Sequence, residues 1–167
     1  MATARISLAS APGMTAEPER LTIGRPATAE DIARWDIDIG PDGTGLPAGG
    51  GSAATGKAVY DAKCASCHGD DGRRGRDKLA GDGQYKTIRT HWPYATTLFD
   101  YIRRAMPVTQ PGSLTDAEVY SVTAYVLYLN DIVAIDDHLT DESLPLIRMP
   151  ARDRFVADDR RGGPEIR

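Results

Sequence analysis

Cysteine is nearly absent from this chain: there are two, Cys64 and Cys67, among 167 residues. A framework of several disulfides is therefore excluded. Long apolar runs are also missing, and none approaches the roughly 18 residues that a membrane-spanning helix needs. There is no excess of positive charge. Lys and Arg number 20 against 24 Asp and Glu, a net charge of −4, which disfavours general binding to nucleic acid. Neither a period-two strand pattern nor an internal repeat is visible, so the fold class expected is all-α. The first residues, "MATARISLASAPGMTAEPERL", lack the uninterrupted apolar stretch of a signal peptide, because Arg5, Pro12 and Glu17 break it.

The two cysteines stand three apart, in "AKCASCHGDDG", with His68 directly after the second. Three chemistries use such a pair. A zinc site would need two more ligands from His91, His138 or carboxylates, yet no second Cys or His pair has finger-like spacing. A redox dithiol wants the pair at the start of a helix that follows a strand. Here "GKAVYDAK" reads as helix leading into the pair, so the pair would close a helix. The third chemistry is covalent haem attachment: both thiols bond the vinyl groups and His68 binds iron. The plain structural alternative is two buried free thiols beside a surface histidine.

Composition divides the chain into three. Residues 1–52 read as an extended N-terminal arm, with a Gly/Pro linker in "GPDGTGLPAGGG" and a short helix in "TAEDIARWDI". Thr28 caps that helix, with Asp31 three residues on. Residues 53–133 read as the compact domain. Its first helix ends at the cysteine pair, and a Gly-rich charged loop follows. A helix starting at Pro93 then places Leu98, Ile102 and Ala105 on one face, with Phe99 and Tyr101 beside it. "PVTQPG" reads as an extended strap. The last helix opens with a capping box, Thr115 and Glu118, and repeats Val119, Val122, Val126 and Leu129 as one buried stripe. Residues 134–167 read as an irregular C-terminal tail laid over the surface. Three or four short helices make a thin core, and a covalent haem would be the staple that such a scaffold needs.

Haem iron bound by His68 has a second axial side. The candidates are Met14, Met106, Met149, His91 and His138. Met106 has the best setting, between the end of a helix and Pro107, and a thioether there raises the potential and favours electron transfer. Tyr60, next to Val59, is expected to pack on the ring and the last helix. Trp92 and Tyr94 are expected to reach the propionates. Arg103 and Arg104 are read as a solvated basic face. From Cys64 to Met106 basic residues outnumber acids eight to five, whereas Asp116 to Glu142 holds seven acids and no base. Such a dipole would steer a partner toward the basic side.

Together "CASCH", "WPYATTLFDYIRRAMP" and "SLTDAEVYSVTAYVLYLNDIV" resemble the single-haem class I cytochromes c of sulfite dehydrogenases and the cytochrome part of sulfane dehydrogenase, over about residues 24–133. The resemblance implies a class I cytochrome c fold: three to four short helices around one covalent haem c. It implies thioethers at Cys64 and Cys67 and axial ligands at His68 and Met106. It further implies an electron-transfer protein rather than an enzyme, located in the periplasm; an export signal is then expected to have been removed, or a leader partly retained. The partners implied are a molybdenum sulfite dehydrogenase-type subunit and a downstream cytochrome or oxidase. A free-standing shuttle for another dehydrogenase, and a haem sensor or enzyme with an open distal site, are the alternatives.

Overall fold

The computed structural model describes residues 23–81, 83–156 and 159. The chain divides into two units, Met1–Asp36 and Ile37–Arg167. In the first, α1 (Ala29–Ala33) is a single short helix with the expected reciprocal cap between Thr28 and Asp31. Arg25 pairs with Asp31 at 2.5 Å. That guanidinium, with the Thr28 amide second, holds the Asp31 carboxyl well below its ordinary range. No residue of α1 is buried.

The second unit is mostly helical and is built on α2 (Ala53–Lys63), α5 (Ala95–Ala105) and α6 (Asp116–Leu129). Two short helices complete it: α3 (Ala65–His68) and α4 (Ile88–His91). Ser52 and Thr55 cap α2 reciprocally, and Thr115 and Glu118 cap α6. Each box satisfies two amide donors that a helix start otherwise leaves open. α2 crosses α6 at Gly56, where an added Cβ would lie 1.8 Å from the Ser121 carbonyl oxygen. Only glycine lets the two backbones approach so closely. One turn on, Tyr60 meets Tyr125 edge-on with ring centroids 5.2 Å apart, a favoured aromatic geometry.

The structure differs from the sequence reading in five details. α6 does not bury a single stripe: every residue from Val119 to Leu127 is buried, whereas Leu129 is only half-buried. The cover on its other sides comes from segments expected to be irregular. Two three-residue strands exist, β1 (Gly50–Ser52) and β2 (His138–Thr140), antiparallel with Gly51 opposite Leu139. They are too short to carry a period. The compact unit is therefore wider than residues 53–133. Leu139, Leu144, Met149 and Ala151 are buried in the core, and the Tyr120 hydroxyl donates to the Pro47 carbonyl at 2.7 Å. Pro93 precedes α5 rather than opening it. Trp92 is extended, as a residue before proline prefers, and Tyr94 is the N-cap. Finally, Pro107 to Gly112 is not extended but turns on itself, with Gln110 N–H donating to the Pro107 carbonyl at 2.8 Å.

Candidate haem site

The site begins where α2 stops. Cys64 is the C-cap of α2, and α3 winds the next four residues into one turn that carries Cys67 and His68. Both cysteines are free and half-buried. Burial, with the Cys67 sulfur a lesser cause, pushes the Cys64 thiol up to about 11. After His68 the loop doubles back so tightly that a Cβ on Gly75 would lie 2.1 Å from the His68 carbonyl carbon. This return brings the Asp77 carbonyl 2.5 Å from His68 Nδ1. A carbonyl only accepts, so Nδ1 must carry the proton and donate. Nε2 is then the nitrogen left to act as a ligand.

A cavity of about 510 Å³ opens beside this turn, within the size range of cofactor sites. Cys64, Cys67 and His68 line it, and so does Met106 from the end of α5. Its apolar walls come from Leu79, Ile88, Leu98, Ile102, Val122 and Val126. Tyr60 and Trp92 also line it, and Trp92 stands edge-on to Tyr101 at 5.6 Å. The donor set of two thiols, an imidazole with Nε2 available and a thioether, over apolar walls, fits a c-type haem.

The other distal candidates do not line this cavity. Met149 is buried elsewhere in the core, His138 is exposed on β2, and His91 is exposed with its ring 5.8 Å from Phe155. Met14 lies outside the described residues. Tyr94 does not line the cavity either: its ring lies under the Arg152 guanidinium at 4.4 Å. Arg89 donates to the Asn130 and Asp131 carbonyls at 2.7 and 3.1 Å. It thereby satisfies the open end of α6. The basic face expected of Arg103 and Arg104 is neutralised, since Arg103 pairs with Asp116 and Arg104 with the buried Asp100. Basic charge gathers instead at a second hollow of about 560 Å³, lined by Arg76, Asp77, Lys78, Tyr85 and Lys86. Four of these, all but Tyr85, line the main cavity too. Lys78 sits over the Tyr85 ring at 4.1 Å, and Lys86 is in no ion pair among the described residues. Sequence reasoning missed Gly75 and the Asp77 carbonyl; it counted Lys78 and Lys86 in the basic run from Cys64 to Met106 without setting them apart from Arg103 and Arg104. The only signal was a Gly-rich charged loop of the kind that usually serves no site.

Fold and site together define a c-type cytochrome. Residues 51–126 match the family model described as cytochrome c oxidase, cbb3-type, subunit III. The chain is 41% identical to the sulfane dehydrogenase SoxCD of Paracoccus pantotrophus in its crystal structure, with a TM-score of 0.74, covering 84% of this chain and 73% of that one. It is also 35% identical to a thiosulfate dehydrogenase of Stutzerimonas stutzeri (strain A1501), over 48% of this chain. That match spans only 28% of the thiosulfate dehydrogenase. The chain belongs to the class I cytochromes c linked to sulfur-oxidising dehydrogenases. Among the described residues, no helix is long and apolar enough to cross a membrane.

Proposed function

We propose that this chain is a periplasmic electron carrier that would hold one haem c, with Cys64 and Cys67 attaching it and His68 and Met106 binding its iron. It takes electrons from a molybdenum dehydrogenase acting on sulfite or a related sulfur compound and passes them to a downstream cytochrome or oxidase. The observation that carries this reading is the cavity, which gathers the Cys-x-x-Cys-His turn and Met106 while His91, His138 and Met149 stay out of it. Bound there, haem supplies a one-electron ferric/ferrous couple. His68, with its Nδ1 proton fixed on the Asp77 carbonyl, presents Nε2 in one orientation. Met106 would supply a thioether, which favours the reduced state. Tyr60 and Trp92, which line the cavity, would pack against the group. With His68 and Met106 both available to hold the iron, the site would carry electrons rather than turn over substrate there.

The same geometry supports a docking direction. Lys78 and Lys86 stand at the cavity rim, so an acidic partner face is favoured there rather than at Arg103 and Arg104. Steering of this kind raises association rates by roughly 10- to 1000-fold at low salt. The test is stopped-flow reduction of the oxidised protein by a molybdenum sulfite or sulfane dehydrogenase with its substrate. The rate should fall steeply with ionic strength and fall further in Lys78→Glu with Lys86→Glu. No reduction by either enzyme would overturn the assignment of the donor, and a flat salt profile would remove the docking direction.

A further inference from the structure

Tyr60 is fully buried, and it lines the haem cavity from α2. Its ring is held edge-on against Tyr125 of α6. Its hydroxyl donates a 2.7 Å hydrogen bond to the carbonyl of Gly69, the residue directly after His68. Packing alone does not require that hydroxyl; phenylalanine would fill the same space. Gly69 is where the loop leaves α3, in a left-handed conformation at φ 77°, with its own N–H donating to the Ala65 carbonyl at 2.8 Å. His68 is therefore restrained at two places: at its ring, by the Asp77 carbonyl, and at its backbone exit, by the Tyr60 hydroxyl. The first restraint depends on the loop from Gly69 to Asp77 closing in one way. The second fixes the first residue of that loop to the rigid α2–α6 pair.

We propose that Tyr60 is a positioning residue for the axial histidine: its hydroxyl anchors the start of the loop whose far end orients the His68 imidazole. The inference deepens the haem reading and rests on it. A hydrogen bond of this kind contributes about 0.5–1.5 kcal/mol net, equivalent to roughly a 2- to 13-fold change in a local opening equilibrium. Removing the hydroxyl should loosen the loop by that factor without dissolving the core.

The experiment compares the haem-loaded parent with Tyr60→Phe by amide hydrogen exchange and by proton NMR of the ferric state. Exchange at Gly69 and through Asp77 should rise by about 2- to 13-fold, while amides in the middle of α6 stay as slow as in the parent. The paramagnetically shifted His68 ring signals should move or broaden. A uniform rise across α6 and the loop, with His68 signals unmoved, would mean that Tyr60 only supports the core, and would overturn the proposal. The parent gives a second readout should the variant fold poorly. Its Tyr60 hydroxyl proton should exchange slowly and show a contact to Gly69; rapid exchange would overturn the bond itself. A parent that acquires no covalent haem refutes the haem reading, whereas a loaded variant with unaltered His68 signals refutes only this one.

Discussion

Single side chains explain both what the sequence discloses at this site and what it hides. Cys64, Cys67, His68 and Met106 announce themselves because thiol, imidazole and thioether are rare groups in a chain with two Cys, three His and four Met. The Asp77 contribution is invisible because a backbone carbonyl has no residue-type signature. Tyr94 and the Arg103–Arg104 pair were legible only as aromatic and basic, and those properties are satisfied elsewhere, by Arg152, Asp116 and Asp100. Two predictions belong here. Met106→Ala should abolish the long-wavelength ferric band of methionine-bound iron, while His91→Ala leaves the spectrum unchanged; the opposite pattern would make His91 the ligand. The second concerns pH. Burial raises the Tyr120 phenol to about 12 from its ordinary 10.0. The folded state thus holds its proton longer than the unfolded chain does. Its contribution is full below about pH 10 and is lost as pH rises toward 12. Urea midpoints should fall over that window, and Tyr120→Phe should shrink the fall.

Helices with a period and a cap could be read from sequence; elements without either could not. α2, α5 and α6 carry apolar spacing, and the Thr115–Glu118 box marks the start of α6. α4 is four residues long, and β1 and β2 are three each, so no periodicity can accumulate in them. The close crossing of α2 and α6 was equally hidden, since Gly56 inside a helical pattern reads as a mild weakness. At this position it is the contact itself. Gly56→Ala, helix-favouring on an exposed face, should instead destabilise by about 1–3 kcal/mol, because the new methyl meets the Ser121 carbonyl and the helices must part. Denaturant midpoints measure this. An unchanged or raised midpoint would mean that the crossing is looser than described.

At the scale of the molecule, the haem helices are held by chain on both sides of them. The Gly/Pro stretch reads as linker by composition, yet Ile39 is buried and Pro47 accepts from Tyr120. The C-terminal segment reads as tail because its prolines and charges mask four isolated buried residues, Leu139, Leu144, Met149 and Ala151. Single apolar anchors at irregular spacing leave no pattern, and only the folded chain shows that they share a core. Leu144→Ala should therefore cost about 2–5 kcal/mol, the range for a fully buried leucine, although it lies far in sequence from the haem motif. A change within experimental error in urea unfolding would show that the segment is dispensable.

The central claim is that this chain closes a covalent haem between His68 and Met106 and so carries electrons without binding ligands at iron. Carbon monoxide tests it most directly. The matured protein is reduced, its spectrum recorded, carbon monoxide added and the spectrum recorded again. The account predicts a c-type spectrum whose colour stays with the protein in acid–acetone and whose Soret band does not change on adding the gas. A prompt Soret shift in the unmodified protein would contradict it, showing an open distal site and a sensor or enzyme in place of a carrier.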